Sequence, residues 1–300
     1  MKIAICNRRP EDHFGGDLIQ AWGYQKALQK LGHEVDYHWE LFPSFLGYDY
    51  AIMHHVGFGW TKCQYESLKN TGIPYTIVSV FYPGTYPDSS PAIAKEICDH
   101  ANKIVCFSKE EKDEMIKELG LDEQVQSRMV IVPNGVDKDI FNPTGEKVEM
   151  KDFVMSAGRG DELKQFHLVI EACKELDLPV VIATTKWDKG YIERLKGIWD
   201  KAVILEGLNQ EDLAKWYRAC RVYVCASNGE RDNLCVKEAA ASGATIINST
   251  HNRGRESLSA PSVNPSIKEQ LNSALIEAYK QETAYDKEVL DWKDIVKLVI

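Results

Sequence analysis

The stretch Phe153-Val154-Met155-Ser156-Ala157-Gly158-Arg159-Gly160-Asp161-Glu162-Leu163-Lys164 reads as a strand over Phe153–Ser156, a glycine-flanked loop, and a helix starting near Leu163. Such a loop leaves backbone N–H groups free beside a helix N-terminus, where a phosphate docks. Arg159 and Lys164 stand five residues apart and can both reach one diphosphate. The guanidinium would bind bidentately and the ammonium as a point charge. Spacing alone equally allows a solvated turn carrying a surface pair.

The same rhythm runs outward in both directions. Towards the N-terminus, apolar runs of strand length occupy Lys2–Cys6, Glu34–His38, Tyr48–Met53, Tyr75–Val80, Lys103–Phe107 and Met129–Val132. Towards the C-terminus they occupy Val180–Ala183, Val203–Leu205, Val222–Cys225 and Thr245–Asn248. Helical stretches lie between them. Asp17 is placed to cap a helix with Leu18, Ala21, Trp22, Leu28 and Leu31 on one face, ended by Gly32. Ser108 followed by Glu111 is a capping box for a helix ending near Gly120. Further helices start near Asp188, Gln210 and Asn233. This alternation predicts an α/β protein with parallel sheets, helices on both faces and right-handed crossovers. Three hundred residues suit two domains of about 150 each. The turn Pro133–Asp137 and the linker-like Asn142–Lys147 place the boundary near 145, giving domains 1–145 and 146–300.

Composition excludes several classes. With 44% hydrophobic and 27% charged residues the chain is ordinary for a globular protein. Its net charge of −9 speaks against nucleic acid as a partner. Eight cysteines form no CxxC pair and fall in apolar strands and helices, as buried thiols in a reducing compartment do. The start, Met1–Cys6, lacks the apolar region and cleavage site of a leader, and no apolar run approaches the ~20 residues of a membrane span. The expectation is a cytoplasmic protein, with peripheral contact with a membrane left open.

A second stretch carries chemistry: Ser227-Asn228-Gly229-Glu230-Arg231-Asp232-Asn233-Leu234-Cys235-Val236-Lys237-Glu238-Ala239-Ala240-Ala241-Ser242-Gly243. A strand feeds a polar loop and then a helix of small residues. Glu230 lies in the loop and Glu238 about two turns into the helix. A carboxylate there can accept both hydroxyls of a ribose, and the N–H groups of Asn233 and Leu234 can meet a phosphate. The pattern by itself also fits a solvent-facing helix with surface glutamates.

Taken in order, these features resemble the retaining glycosyltransferases of family 4, which have the GT-B fold of two Rossmann-like domains facing across a cleft. The resemblance rests on Gly15-Gly16 after the first strand, Phe107-Ser108, and Val130–Asp137 with Phe141-Asn142-Pro143. It continues through Gly158-Arg159 with Lys164, Glu206-Gly207, and Glu230-x7-Glu238. It implies transfer of a hexose-type sugar from a nucleoside diphosphate sugar, UDP being the commonest, to an unidentified acceptor (glycan, lipid or small molecule), with retention of configuration. Arg159 and Lys164 match the pair that neutralises the donor diphosphate, so no metal or other cofactor is required. Glu238 matches the ribose ligand and Glu230 the acidic residue near the donor sugar. Gly15 and Gly16 match the loop over the reacting phosphate, and His54 or His55 the family's cleft histidine. His13, Phe14, Trp60 and the loop Phe81–Tyr86, with Tyr82, can line an acceptor platform; Arg8 and Arg9 read more readily as a solvated loop. Leu290–Val296 resembles the closing tryptophan-containing helix that packs back across the domains.

Asn252-Arg253-Gly254-Arg255-Glu256 and the Ser/Pro stretch Ser257–Ser266 depart from the family pattern after the last apolar run. Asp137-Lys138-Asp139 spells Asp-x-Asp but falls in the interdomain turn and reads as capping and solvated charge. A nicotinamide dehydrogenase would want glycines where Asn7-Arg8-Arg9-Pro10 follow the first strand. A sugar-nucleotide epimerase and a non-catalytic sugar-nucleotide-binding module are the other readings.

Overall fold

Each apolar run named above forms a strand, with ends shifted by up to three residues. The computed structural model describes residues 1–10, 15–185, 187–281 and 289–300. In the N-terminal half lie β1 (Lys2–Cys6), β2 (Glu34–His38), β3 (Tyr50–His54), β4 (Tyr75–Val78), β5 (Lys103–Cys106) and β6 (Met129–Ile131). They form one parallel sheet in the order β2-β1-β3-β4-β5-β6. β3 and β4 are buried almost throughout because helices cover both faces, which is why they read as continuous apolar runs rather than alternating ones.

The C-terminal half holds β7 (Val154–Arg159), β8 (Val180–Thr185), β9 (Val203–Glu206), β10 (Val222–Val224), β11 (Thr245–Ser249) and β12 (Ser262–Val263). Their order is β12-β11-β10-β7-β8-β9, again parallel. Counted from β7, this is the doubly wound order of dinucleotide-binding folds, whose ligands sit beyond the strand ends where the winding reverses. Here that point lies between β7 and β10; in the first sheet it lies between β1 and β3. β12 falls inside the Ser/Pro stretch, pairing Ser262 with Asn248 and Val263 with Ser249.

The chain divides into Met1–Gly135 with Leu290–Ile300, and Val136–Val289. The division thus falls before the linker-like segment near 145, and the C-terminal eleven residues belong to the first unit rather than the second. The helix Trp292–Val299 packs in that unit on the helix Gly16–Lys30, with Trp292 edge-on to Tyr24 at 5.5 Å. Gly23 makes room for it: a Cβ there would come within 2.6 Å of the Trp292 indole. Thr76 Oγ1 donates to the Val299 carbonyl at 2.6 Å, and Lys103 Nζ to those of Leu298 and Ile300, placing a cation at a helix C-terminus.

Capping follows the sequence in most places. Ser108 Oγ accepts from Glu111 N at 3.1 Å, and Gly120 ends that helix with φ +60°. The fully buried Glu111 carboxylate accepts from the backbone of Phe107 and Phe81, tying the helix to the segment after β4. The first helix differs from expectation. Gly15 is its N-cap, because the Asp17 carboxylate is engaged elsewhere, and its buried face carries Tyr24 and Ala27 while Trp22 and Leu31 are exposed.

Candidate functional site

At the reversal point of the second unit, β7 extends through Gly158 and Arg159 because both still pair with β8, opposite Thr184 and Thr185. Gly158 has φ +147°, and a Cβ there would stand 3.1 Å from Lys164 Cε. Glycine is therefore needed for both conformation and space. A 3-10 turn, Glu162–Lys164, follows. Gln165 then adopts a left-handed conformation (φ +49°) before the helix Phe166–Glu175 begins. Lys164 is consequently part of a tight turn and not of the helix expected to start near Leu163.

The loop after β10 is tied to this turn. Asn228 N donates to the Leu163 carbonyl at 2.8 Å, which brings Glu230 to Lys164. Lys164 Nζ is ion-paired with Glu230 Oε1, and both side chains are about 15% exposed. Burial alone would depress the Lys164 ammonium, but Glu230 outweighs it and holds the pKa above the ordinary lysine value. Glu230 is also fixed through its backbone: its N–H donates to the His251 carbonyl at 3.1 Å and its carbonyl accepts from Arg253 N at 3.0 Å. The 252–256 segment, which departs from the family pattern, thus supports this glutamate.

Arg159 donates from Nε to the Asp161 carboxylate and lies over the Trp187 ring at 4.9 Å. The helix Leu234–Ala241 is capped by Asn233, whose Oδ1 accepts from Val236 N at 3.2 Å. The Asn233 side chain is thereby occupied with capping, while its position marks a helix N-terminus close to Glu230. Leu234 is buried. Ala239 lies fully buried, as expected for a helix packed close to its sheet. Glu238 is 6% exposed, which removes the solvent-facing alternative. Burial pushes its carboxyl up to about 7, against a 3.4 Å hydrogen bond from the Tyr217 hydroxyl that favours the ionised form.

The remaining candidates belong to the first unit. Gly15 is the helix N-cap and Gly16 the first helical residue; a Cβ at Gly15 would meet Asp17 Oδ1 at 2.6 Å and Arg8 Nη2 at 2.9 Å. Arg8 is not in a solvated loop. It is 3% exposed and grips Asp17 bidentately, at 2.7 and 2.9 Å. His55, with φ +64°, turns out of β3 so that Nε2 reaches Asp17 Oδ2 at 3.3 Å, flanked by Phe58 and Trp60. His54 is fully buried beside Tyr24, and burial lowers its pKa to about 3. Of the two histidines, only His55 is hydrogen-bonded through its ring to a charged side chain among the described residues. Tyr82 is exposed, in the turn beyond the buried Phe81. His13 and Phe14 lie outside the described residues. Asp137 Oδ1 accepts from Asp139 N at 3.1 Å, as in a capped turn. Among the described residues no three His, Cys, Asp or Glu side chains are grouped to hold a metal. All eight cysteines are free.

Asp161, Tyr217 and Trp187 are contacts of the candidate residues that the sequence did not single out, and Asp17 was expected as a helix cap and not as the partner of Arg8 and His55. Asp161, two residues from Arg159, and Asp17, next to Gly16, stand in stretches that were already suspect.

The profile of the family described as Glycosyl transferases group 1 matches residues 137–288, half of the chain and nearly all of the second unit. The chain belongs to this family. A D-inositol 3-phosphate glycosyltransferase of Mycobacteroides abscessus is 26% identical over 170 residues, covering 51% of this chain and 38% of that protein. The chain spans between about two fifths and half the length of the curated relatives it matches. Two solved structures have the same fold over nearly their whole length. Sucrose-phosphate synthase from Thermosynechococcus elongatus superposes with a TM-score of 0.75 at 14% identity, covering 99% of this chain and 94% of that one. Anabaena HepE, in complex with UDP and glucose, gives 0.70 at 14% identity, covering 100% and 95%. The group 1 glycosyltransferase fold of two Rossmann-like units is thus the one expected. No helix among the described residues is long and apolar enough to cross a membrane.

Proposed function

We propose that this protein is a glycosyltransferase whose second unit binds a nucleoside diphosphate sugar and whose reaction transfers that sugar with retention of configuration. The observation that carries the reading is the largely enclosed Lys164–Glu230 ion pair, which joins the turn after β7 to the loop after β10 at the reversal point of a dinucleotide-type sheet. Arg159 and Lys164 would take the diphosphate and stabilise the charge that grows on it as the bond from sugar to phosphate breaks, a role that requires no metal. Glu238, buried and hydrogen-bonded by Tyr217, would accept the ribose hydroxyls, and Glu230 would lie by the donor sugar. An acceptor hydroxyl would attack from the face the diphosphate leaves and pass its proton to the departing phosphate oxygen. UDP is the first choice of nucleotide, as in the HepE complex. The acceptor is a hydroxyl compound whose identity is open. The eight free thiols support a reducing, cytoplasmic setting.

A thermal-shift screen with UDP, GDP, ADP and their common sugars tests the donor, since a ligand of the native state raises its apparent stability. Release of nucleoside diphosphate should follow from the matching sugar donor and fall about 10²–10³-fold in Lys164→Ala, the usual loss of a charge-stabilising donor. Binding of none of these nucleotides would overturn the reading. Binding with no turnover of any donor would make the protein a sugar-nucleotide-binding module. Turnover to an isomerised sugar without acceptor would make it an epimerase.

A further inference from the structure

Arginine binds a diphosphate well only when its guanidinium plane already faces the ligand, because its side chain is long and loses much rotamer freedom on ordering. Three features of the second unit set that plane. Arg159 is the last residue of β7, and the segment after it folds back at once: Asp161 N donates to the Arg159 carbonyl at 2.9 Å. The Asp161 carboxylate, 15% exposed, accepts the Arg159 Nε. The Trp187 indole, in the segment just beyond β8, lies against the guanidinium with 4.9 Å between Cζ and the ring centroid.

The two supports are tied to each other. Asp188 N donates to the Gly160 carbonyl at 3.1 Å, and Gly160 packs so closely on β8 that a Cβ would lie 2.6 Å from Thr184 Oγ1. The segment bearing Trp187 and the segment bearing Asp161 therefore hold one register. Of the five N–H donors of a guanidinium, the Nε donor is spent on Asp161. The terminal nitrogens hydrogen-bond to no acceptor among the described residues. A fork remains, its rotation stopped by a carboxylate at one edge and an aromatic ring on one face.

We propose that Asp161 and Trp187 are positioning residues that preset the Arg159 fork for the donor diphosphate. This inference rests on the donor reading above. It assigns Trp187 a duty towards the phosphate through Arg159, and no direct contact with the nucleotide.

Calorimetry with UDP, GDP and ADP on the full chain tests it, using Trp187→Ala, Trp187→Phe, Asp161→Asn, Arg159→Ala and the double variant Arg159→Ala/Trp187→Ala. Trp187→Ala should bind the best of these nucleotides roughly three- to thirtyfold more weakly, the range of a guanidinium–indole contact. Trp187→Phe should recover most of the loss, and Asp161→Asn should weaken binding to a similar extent. The double variant should bind no more weakly than Arg159→Ala, since the indole would act only through the arginine. Additive losses in the double variant would mean that Trp187 meets the nucleotide itself, and the inference would fall. It would fall equally if Arg159→Ala weakened binding while Trp187→Ala and Asp161→Asn did not, or if Arg159→Ala bound as wild type. No binding of any of the three nucleotides by wild type would instead remove the donor reading on which it stands. Melting temperatures within a few degrees of wild type mark variants whose fold is intact, and Trp187, 46% exposed, tolerates truncation well.

Discussion

Each unit places a carboxylate of low exposure at the reversal point of its sheet, and the two are driven in opposite directions. Asp17 in the first unit would be raised by burial, but hydrogen bonds from His55 and Arg8 outweigh this and hold it well below the usual carboxylate range. Glu238 in the second unit accepts a hydrogen bond from Tyr217, and burial pushes it up to about 7. Low exposure in the same kind of fold thus goes with an ionised brace in one case and a raised carboxyl in the other. The difference lies in the donors the neighbouring chain supplies.

The largest effect should come from breaking the brace. Asp17→Ala leaves the buried Arg8 without its bidentate carboxylate and should cost about 3–5 kcal/mol, read as a shift in the urea midpoint. A loss below about 1 kcal/mol would show that Asp17 braces nothing.

Glu238 comes next. Its folded pKa lies above the unfolded carboxylate value, so between about pH 4.5 and 7 the native protein holds a proton that the unfolded chain has released. Stability is fully present below that window and declines as pH rises through it, by about 1.4 kcal/mol per pH unit. In total the loss should reach roughly 3 kcal/mol. Glu238→Gln should remove this component from urea titrations run at pH 5 and pH 8. An unchanged pH dependence would mean that Glu238 titrates alike in the folded and unfolded chain, and would dissolve the contrast with Asp17.

The smallest effect sharpens the contrast at the turn after β7. Gly158→Ala forces a side chain into a left-handed backbone and against Lys164. It should cost about 1–2 kcal/mol and weaken nucleotide binding in the same calorimetric assay. A neutral substitution would mean that the turn relaxes freely and that Lys164 is not held by it.

The elements that were legible share a property. Apolar runs such as Lys2–Cys6 and Glu34–His38 are strands at the expected bounds, Ser108 caps its helix as read, and the helices expected near Asp188, Gln210 and Asn233 begin within a residue of those positions. These signals are local, so a few neighbouring residues suffice. β12 has two residues, too few to show a period, and exists because Asn248 and Ser249 offer it a partner. Arg8 looked like loop charge because its partner, nine residues away, is found only when the first helix folds back over β1.

Sequence by itself determined the α/β class, the strand leading to Arg159 and the spaced pair Glu230 and Glu238. Each depends on hydrophobic period, glycine and capping chemistry within a short window. Tertiary structure decided what those residues are to one another. It joined Lys164 to Glu230 across 66 positions, set Trp187 and Asp161 around Arg159, and returned the C-terminal helix to the first unit. It also gave Asp17 and Glu238 opposite protonation tendencies. The physical reason is that charge satisfaction depends on distance and burial, and residues far apart along a chain acquire both only when strands and helices pack.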